Sequence, residues 1–149
     1  MTLKDCLKRI SQEYSYVKET QPETEKMPDH CFMPKFDIEI IKPVFILTEI
    51  FKAKTQWSCQ GHVDSKWDLA YIRFHEGFKA PESLIKKLEA KGFISGFAQP
   101  FVEHPEKKIF IMRAFNADVT NPAEKILRNK EFLHELNLWS DSIISKYIK

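Results

Sequence analysis

Apolar residues recur along the chain at spacings that predict helices and strands in alternation. Spacing of three and four residues predicts four helices: residues 2–17, 43–54, 81–91 and a long segment that starts at 121–122. Shorter apolar runs bounded by polar and turn residues predict four strands: residues 55–58, 69–74, 93–98 and 109–115. The predicted order is therefore α-α-β-β-α-β-β-α.

Individual residues predict where some of these elements begin or end and which side chains they bury. Pro43 suits the first position of the second helix, and Gly92 suits a left-handed stop after the third. Residues 69–74 alternate, which places Ala70, Ile72 and Phe74 on one face of the strand. The final helix is expected to bury a periodic set of side chains: Ile126, Phe132, Leu133, Leu136, Trp139, Ile143 and Tyr147.

The domain organisation follows from length and from proline placement. A chain of 149 residues has the usual size of one domain. Residues 20–37 contain three prolines among polar neighbours, which indicates an extended connector. We predict a single α+β domain over residues 1–149, a mostly antiparallel sheet of about four strands packed with about four helices.

Charge and cysteine usage limit the functional classes. The 23 basic and 21 acidic residues give a net charge of +2, unlike the strongly basic surface of a dedicated duplex-DNA binder. Three cysteines without a CxxC pair, and no signal peptide, favour free thiols in the cytoplasm. The longest apolar run, residues 44–47, is too short to span a bilayer, so no membrane partner is expected.

The segment from Thr55 to His62 (Thr-Gln-Trp-Ser-Cys-Gln-Gly-His) concentrates the chemistry of the chain. It gathers two hydroxyls, a thiol, an imidazole, an indole and a glycine at the end of an apolar helix. These polar groups need partners if they are buried. Gly61 allows a tight turn at which side chains could converge. We expect a candidate site at this turn.

Several interpretations of this segment are open. Cys59 and His62 have a spacing that suits one metal ion, but no second clear ligand pair completes a four-ligand zinc site, so no metal site is predicted. Cys59 could instead be a nucleophile activated by His62, the two candidate catalytic residues, although no third orienting residue is evident. Alternatively Thr55, Ser58, Gln60, His62 and the turn amides recognise an anion or a nucleobase edge, and Arg73 supplies positive charge nearby. In a purely structural interpretation Cys59 is a small buried residue, Gly61 forms the turn and His62 is a surface imidazole.

Three segments carry a resemblance to a known family. The Thr-x-x-Ser-Cys-x-Gly pattern resembles the Thr-Ser-Ser-Cys-Ser-Gly signature of the wybutosine-synthesis tRNA methyltransferases, the third enzyme of that pathway. Residues 84–96 are similar to that family's helix followed by Gly-Phe-x-x-Ser-Gly, and residues 108–113 to its strand ending in Ile-x-Arg. By position, Ser58, Cys59, Gly61 and Arg113 match the family's motif residues.

Two departures restrict what the resemblance implies. Trp57 replaces a small hydroxyl residue, and His62 stands where the family usually has arginine. Ser-Cys-x-Gly-His variants are similar to segments of small bacterial and phage proteins. The chain has no recognisable S-adenosylmethionine-binding glycine loop, so the resemblance implies a shared fold rather than methyl transfer.

We therefore predict a cytoplasmic domain that binds a nucleotide, RNA or another anionic ligand, with its cofactor and oligomeric state left open. The expected ligand-binding residues are Thr55, Ser58, Cys59, Gln60, Gly61, His62, Arg73 and Arg113. The alternatives are a protein-interaction accessory factor of bacterial or phage type, and an RNA- or nucleotide-modifying enzyme that uses Cys59 or His62.

Overall fold

The computed structural model describes residues 5, 40–61, 69–98 and 108–147. Apart from Asp5, the predicted helix over residues 2–17 lies outside the described residues, as does the connector over residues 20–37. The remaining predicted elements are all present, in the predicted order. They are α1 (Ile41–Phe45) with a following π-helical turn (Ile46–Ile50), β1 (Thr55–Gln60), β2 (Ala70–Phe74), α2 (Glu82–Ala90), β3 (Ile94–Ala98), β4 (Ile109–Arg113) and α3 (Pro122–Tyr147).

The four strands form one antiparallel sheet in the order β1-β2-β4-β3. Strands β2 and β4 lie at the centre, and β1 and β3 flank them. The prediction of an α+β fold with a mostly antiparallel sheet of four strands is confirmed. Within the described residues, none of the helices combines the length and the apolar character that a membrane span requires.

The helices pack against one face of the sheet, which we call the first face. Ala70, Ile72 and Phe74 of β2 are fully buried there, as the alternation predicted. They belong to one core cluster with Met112 of β4 and with the buried sides of all three helices. Tyr71, the residue between Ala70 and Ile72, lies on the opposite, second face, because successive strand residues alternate between faces.

Helices α2 and α3 run antiparallel across the first face, joined by three contacts. Near the start of α2, Trp139 Nε1 donates a hydrogen bond to Ser83 Oγ at 3.1 Å. One turn further, Lys87 Nζ lies 3.5 Å from Glu135 Oε2. Beyond the end of α2, the rings of Phe93 and Phe132 meet edge to face at 5.5 Å. These contacts fix the two helices relative to each other and to the sheet.

Several predicted element ends hold, and others differ. Asn121 caps α3, its Oδ1 accepting a hydrogen bond from the Glu124 N–H at 3.1 Å, and Gly92 adopts φ +80° after α2. Helix α1, however, begins at Ile41, so Pro43 is its third residue. Proline is tolerated there because the first turn of a helix has no intrahelical acceptor for its N–H groups. Ile126 is 43% exposed rather than buried.

The polar residue Asn129 belongs to the buried face of α3. Asn129 is buried, and its Oδ1 accepts a hydrogen bond from the Ala70 N–H at 2.9 Å. The buried stripe of α3 therefore passes through Asn129 and continues through Phe132, Leu133 and Leu136, which are buried as predicted. This bond joins the first turns of α3 to the start of β2.

Candidate functional site

Strand β1 continues two residues further than predicted, to Gln60, so Cys59 and Gln60 belong to a strand and not to a turn. The strand also contains an irregularity. Thr55 pairs with Phe74 and Trp57 pairs with Arg73, so two steps along β1 correspond to one step along β2. Gln56 is the extra residue of a β-bulge, and such an insertion changes which later residues share a face.

The bulge places both hydroxyl residues of the motif on the first face. Thr55 lies opposite Phe74 and Ser58 opposite Ile72, and both partners are core residues. Thr55 is 9% exposed and Ser58 is 3% exposed. The structure therefore places these two predicted ligand-binding residues under the helices.

Three other predicted site residues of the described sheet, Cys59, Arg73 and Arg113, fall in two rows on the second face, whereas Gln60 pairs with Ala70 of the first face. In one row Cys59 pairs with Tyr71, Tyr71 with Arg113, and Arg113 with Ile94. In the adjacent row Trp57 pairs with Arg73, Arg73 with Ile111, and Ile111 with Gly96. The strand pairing thus brings Arg73, Arg113 and the backbone position of Cys59 together.

Arg73 and Arg113 are diagonal neighbours on the two central strands. Tyr71 lies opposite Arg113, and Arg73 is two residues beyond Tyr71 on the same strand. Diagonal neighbours in an antiparallel pair are roughly 7–8 Å apart, within reach of long side chains. Both guanidinium groups can therefore approach one ligand on the second face.

Both arginines and Tyr71 are half-buried. Burial lowers the pKa of the Arg73 guanidinium, and the neighbouring Tyr71 acts in the opposite direction. An arginine remains charged in a protein at neutral pH, so Arg73 keeps its positive charge at this partly buried position. The second face at Arg73 is a positive and partly dehydrated surface.

The apolar neighbours of these arginines are Ile111 and Ile94, which are half-buried. Further along β4 on the same face, Ile109 is only 4% exposed, although it lies outside the main core cluster. The second face is therefore buried near Ile109 and more accessible towards the two arginines.

The end of the motif can be placed only in part. Gly61 follows β1 with φ +89°, a left-handed conformation that glycine adopts without strain. His62 lies outside the described residues, as do the side chains of Cys59 and Gln60. Catalysis by Cys59 or His62, and ligand contacts of Gln60, stay predictions.

The segment that leads into β1 has an unusual backbone. It passes through the π-helical turn, in which the Phe51 N–H donates to the Ile46 carbonyl, and then through Lys52 at φ +55°. Lys52 is the non-glycine residue with positive φ in the described part of the chain. Such conformations persist only where surrounding contacts fix them, here the bond from the Ala53 N–H to the Leu47 carbonyl at 3.0 Å.

Two other candidate locations are weaker. In the described ranges no three His, Cys, Asp or Glu side chains lie close enough together to hold a metal ion. A shallow depression on α3 is lined by Lys130, Leu133, His134 and Asn137. The described residues of its lining all belong to this one helix, and Asn137 Nδ2 is already bonded to the Leu133 carbonyl at 2.8 Å.

Sequence reasoning placed Arg73 on the same strand face as Tyr71 but did not identify Ile111, Ile94 or Gly96 as neighbours of the arginines. The alternation of residues 69–74 indicates that Tyr71 and Arg73 share a face. The pairing of β2 with β4 has no local signal, because these strands are separated by α2 and β3.

No protein-family model matches the chain, and no curated protein or solved structure is similar enough to count as a match. The resemblance to the wybutosine-synthesis methyltransferases stays a prediction.

Proposed function

We propose that this protein binds an anionic ligand, the phosphate group of a nucleotide or of RNA, on the second face of its sheet. The observation that carries the proposal is the diagonal placement of Arg73 and Arg113 on β2 and β4, on the face opposite the helices. Tyr71 lies between them and supplies a phenol hydroxyl and an aromatic ring.

The chemistry of the two arginines supports a phosphate ligand. A guanidinium group presents several N–H donors in a planar fork, which matches the oxygens of a phosphate in bidentate geometry. Hydrogen bonds of this charged kind contribute about 1.5–3 kcal/mol each. Partial burial of Arg73 strengthens them further, because fewer water molecules compete.

The position of the arginines in the sheet supports the same conclusion. Both belong to the central strands, whose backbones are held by neighbours on both sides. Behind them, Ile72 and Met112 are fully buried against the helices. Groups on such rigid elements are positioned in advance, so little ordering is needed when a ligand binds.

Isothermal titration calorimetry with adenosine monophosphate, pyrophosphate and a short oligouridylate tests the proposal. We expect at least one of these probes to bind the wild-type protein. The substitutions Arg73→Gln and Arg113→Gln should each weaken that binding roughly tenfold or more, because each removes charge-assisted hydrogen bonds.

Lys130→Gln is the matched control, since it removes the same unit of charge from the exposed surface of α3. It should leave the affinity nearly unchanged apart from a small effect of net charge. Absence of binding for every probe, or equal losses in all three variants, would refute the proposal.

A further inference from the structure

Gly96 occupies an interior position of β3 where its conformation does not require glycine. It pairs with Ile111 in the register of β3 and β4. The glycines with positive φ in the described residues are Gly61, Gly77 and Gly92, so Gly96 has an ordinary strand backbone. Glycine weakens a strand interior, and where no special φ requires it, it often marks close approach of a ligand.

The space above Gly96 is open. A Cβ atom built at this position meets no atom within 4 Å. Gly96 lies on the second face, in the row that contains Ile111 and Arg73. Along β3 on the same face its neighbours are Ile94 and the small residue Ala98. The absent side chain therefore leaves an open space above the strand, which we call the notch, with Ile94 and Ala98 as its neighbours along β3.

The distance from this notch to the arginines fits a ligand with two different ends. Gly96 and Arg73 are two strands apart, which corresponds to roughly 10 Å between their backbones. An arginine side chain that extends towards β3 would shorten the gap between its charged group and the notch. A planar apolar ring at Gly96 and a phosphate at Arg73 and Arg113 would then be joined by a short linker, as base and phosphate are joined by ribose.

We infer that Gly96 forms the floor of a subsite for the planar ring of the ligand, and that the ligand is a nucleotide unit rather than a simple inorganic anion. This inference rests on the proposed function, because the phosphate of the same ligand lies at the two arginines. Gly96 sets specificity here, since any larger side chain fills the space that the ring occupies.

Titration of wild type and Gly96→Val with adenosine monophosphate and with inorganic phosphate tests the inference. The wild-type protein should bind adenosine monophosphate more tightly than phosphate. Gly96→Val should weaken nucleotide binding about tenfold or more, the discrimination typical of a small steric change in an apolar pocket. Its affinity for phosphate should stay at the wild-type value.

Stability and further variants separate the possible outcomes. Valine favours strand geometry, so Gly96→Val should unfold at or above the wild-type temperature. If it does not fold, Gly96→Ala makes the same test with a smaller loss. Phe97→Val, on the same strand but the first face, is the control and should not change the preference for the nucleotide.

If wild type and Gly96→Val bind the nucleotide with equal affinity, the ring subsite is overturned. If both also bind phosphate, the arginine site stays intact. Absence of binding for these two probes and also for pyrophosphate and the oligouridylate overturns the proposed function itself.

Discussion

The substitution Asn129→Leu should destabilise the protein although it adds apolar volume to a buried position. Asn129 is 4% exposed, and its Oδ1 accepts the hydrogen bond of the Ala70 N–H at 2.9 Å. Ala70 is itself fully buried. Leucine has no acceptor, so the substitution leaves this N–H buried without its partner.

The expected magnitude follows from the cost of one unsatisfied buried group. Such a group costs about 1–3 kcal/mol, more than the net contribution of an average hydrogen bond. For a chain of this length, each kcal/mol lowers Tm by about 2–4 °C. The melting temperature of Asn129→Leu should therefore fall by roughly 2–12 °C.

Asn137→Leu is the matched control. It is the same substitution on the same helix, but Asn137 Nδ2 donates to the Leu133 carbonyl of its own helix at 2.8 Å, at a half-buried position. That carbonyl lies within the helix, so the change should stay within about 0.5 kcal/mol.

Thermal unfolding, monitored by circular dichroism, compares the melting temperatures of the two variants. Amide hydrogen exchange shows which part of the structure is destabilised. The Ala70 amide should lose protection in Asn129→Leu and keep it in Asn137→Leu. Equal melting temperatures of the two variants, or unchanged exchange at Ala70, would show that this hydrogen bond does not hold the start of β2 on α3.

Two further substitutions test the helix pair and the approach to β1. Glu135 is 8% exposed, and its Oε2 accepts no hydrogen bond, so the ion pair with Lys87 Nζ at 3.5 Å compensates its charge. Lys87→Met should lower stability by about 1–3 kcal/mol, because it leaves the buried carboxylate without its partner. Lys87→Met combined with Glu135→Met should recover most of this loss. Denaturant titrations that show no recovery contradict the argument. At Lys52, φ +55° is a strained backbone conformation for a residue that has a side chain. Lys52→Gly relieves this strain but also increases the entropy of the unfolded chain, so the variant should be about 0 to 1 kcal/mol more stable than the wild type. Lys52→Val should be clearly less stable, and equal Tm values for glycine and valine would rule out strain at this residue.

Local periodicity was sufficient to predict the elements of the described part of the chain. The alternation that places Ala70, Ile72 and Phe74 on one face is a property of the strand itself, and the structure buries all three. The order of strands in the sheet depends on contacts between distant segments. The neighbours Arg73 and Arg113 could not be recognised from sequence for this reason.

The β-bulge at Gln56 was the second unpredictable feature, and it determines how the motif divides between the faces. In a regular strand Thr55 and Ser58, three residues apart, would lie on opposite faces. The extra residue places both against the core, while the positions of Trp57 and Cys59 share rows with Arg73 and Tyr71. The motif therefore contributes its hydroxyl residues to the packing of the sheet under the helices. A ligand on the second face meets the arginines of β2 and β4 first, and residues of β1 can contribute only from the edge of the sheet.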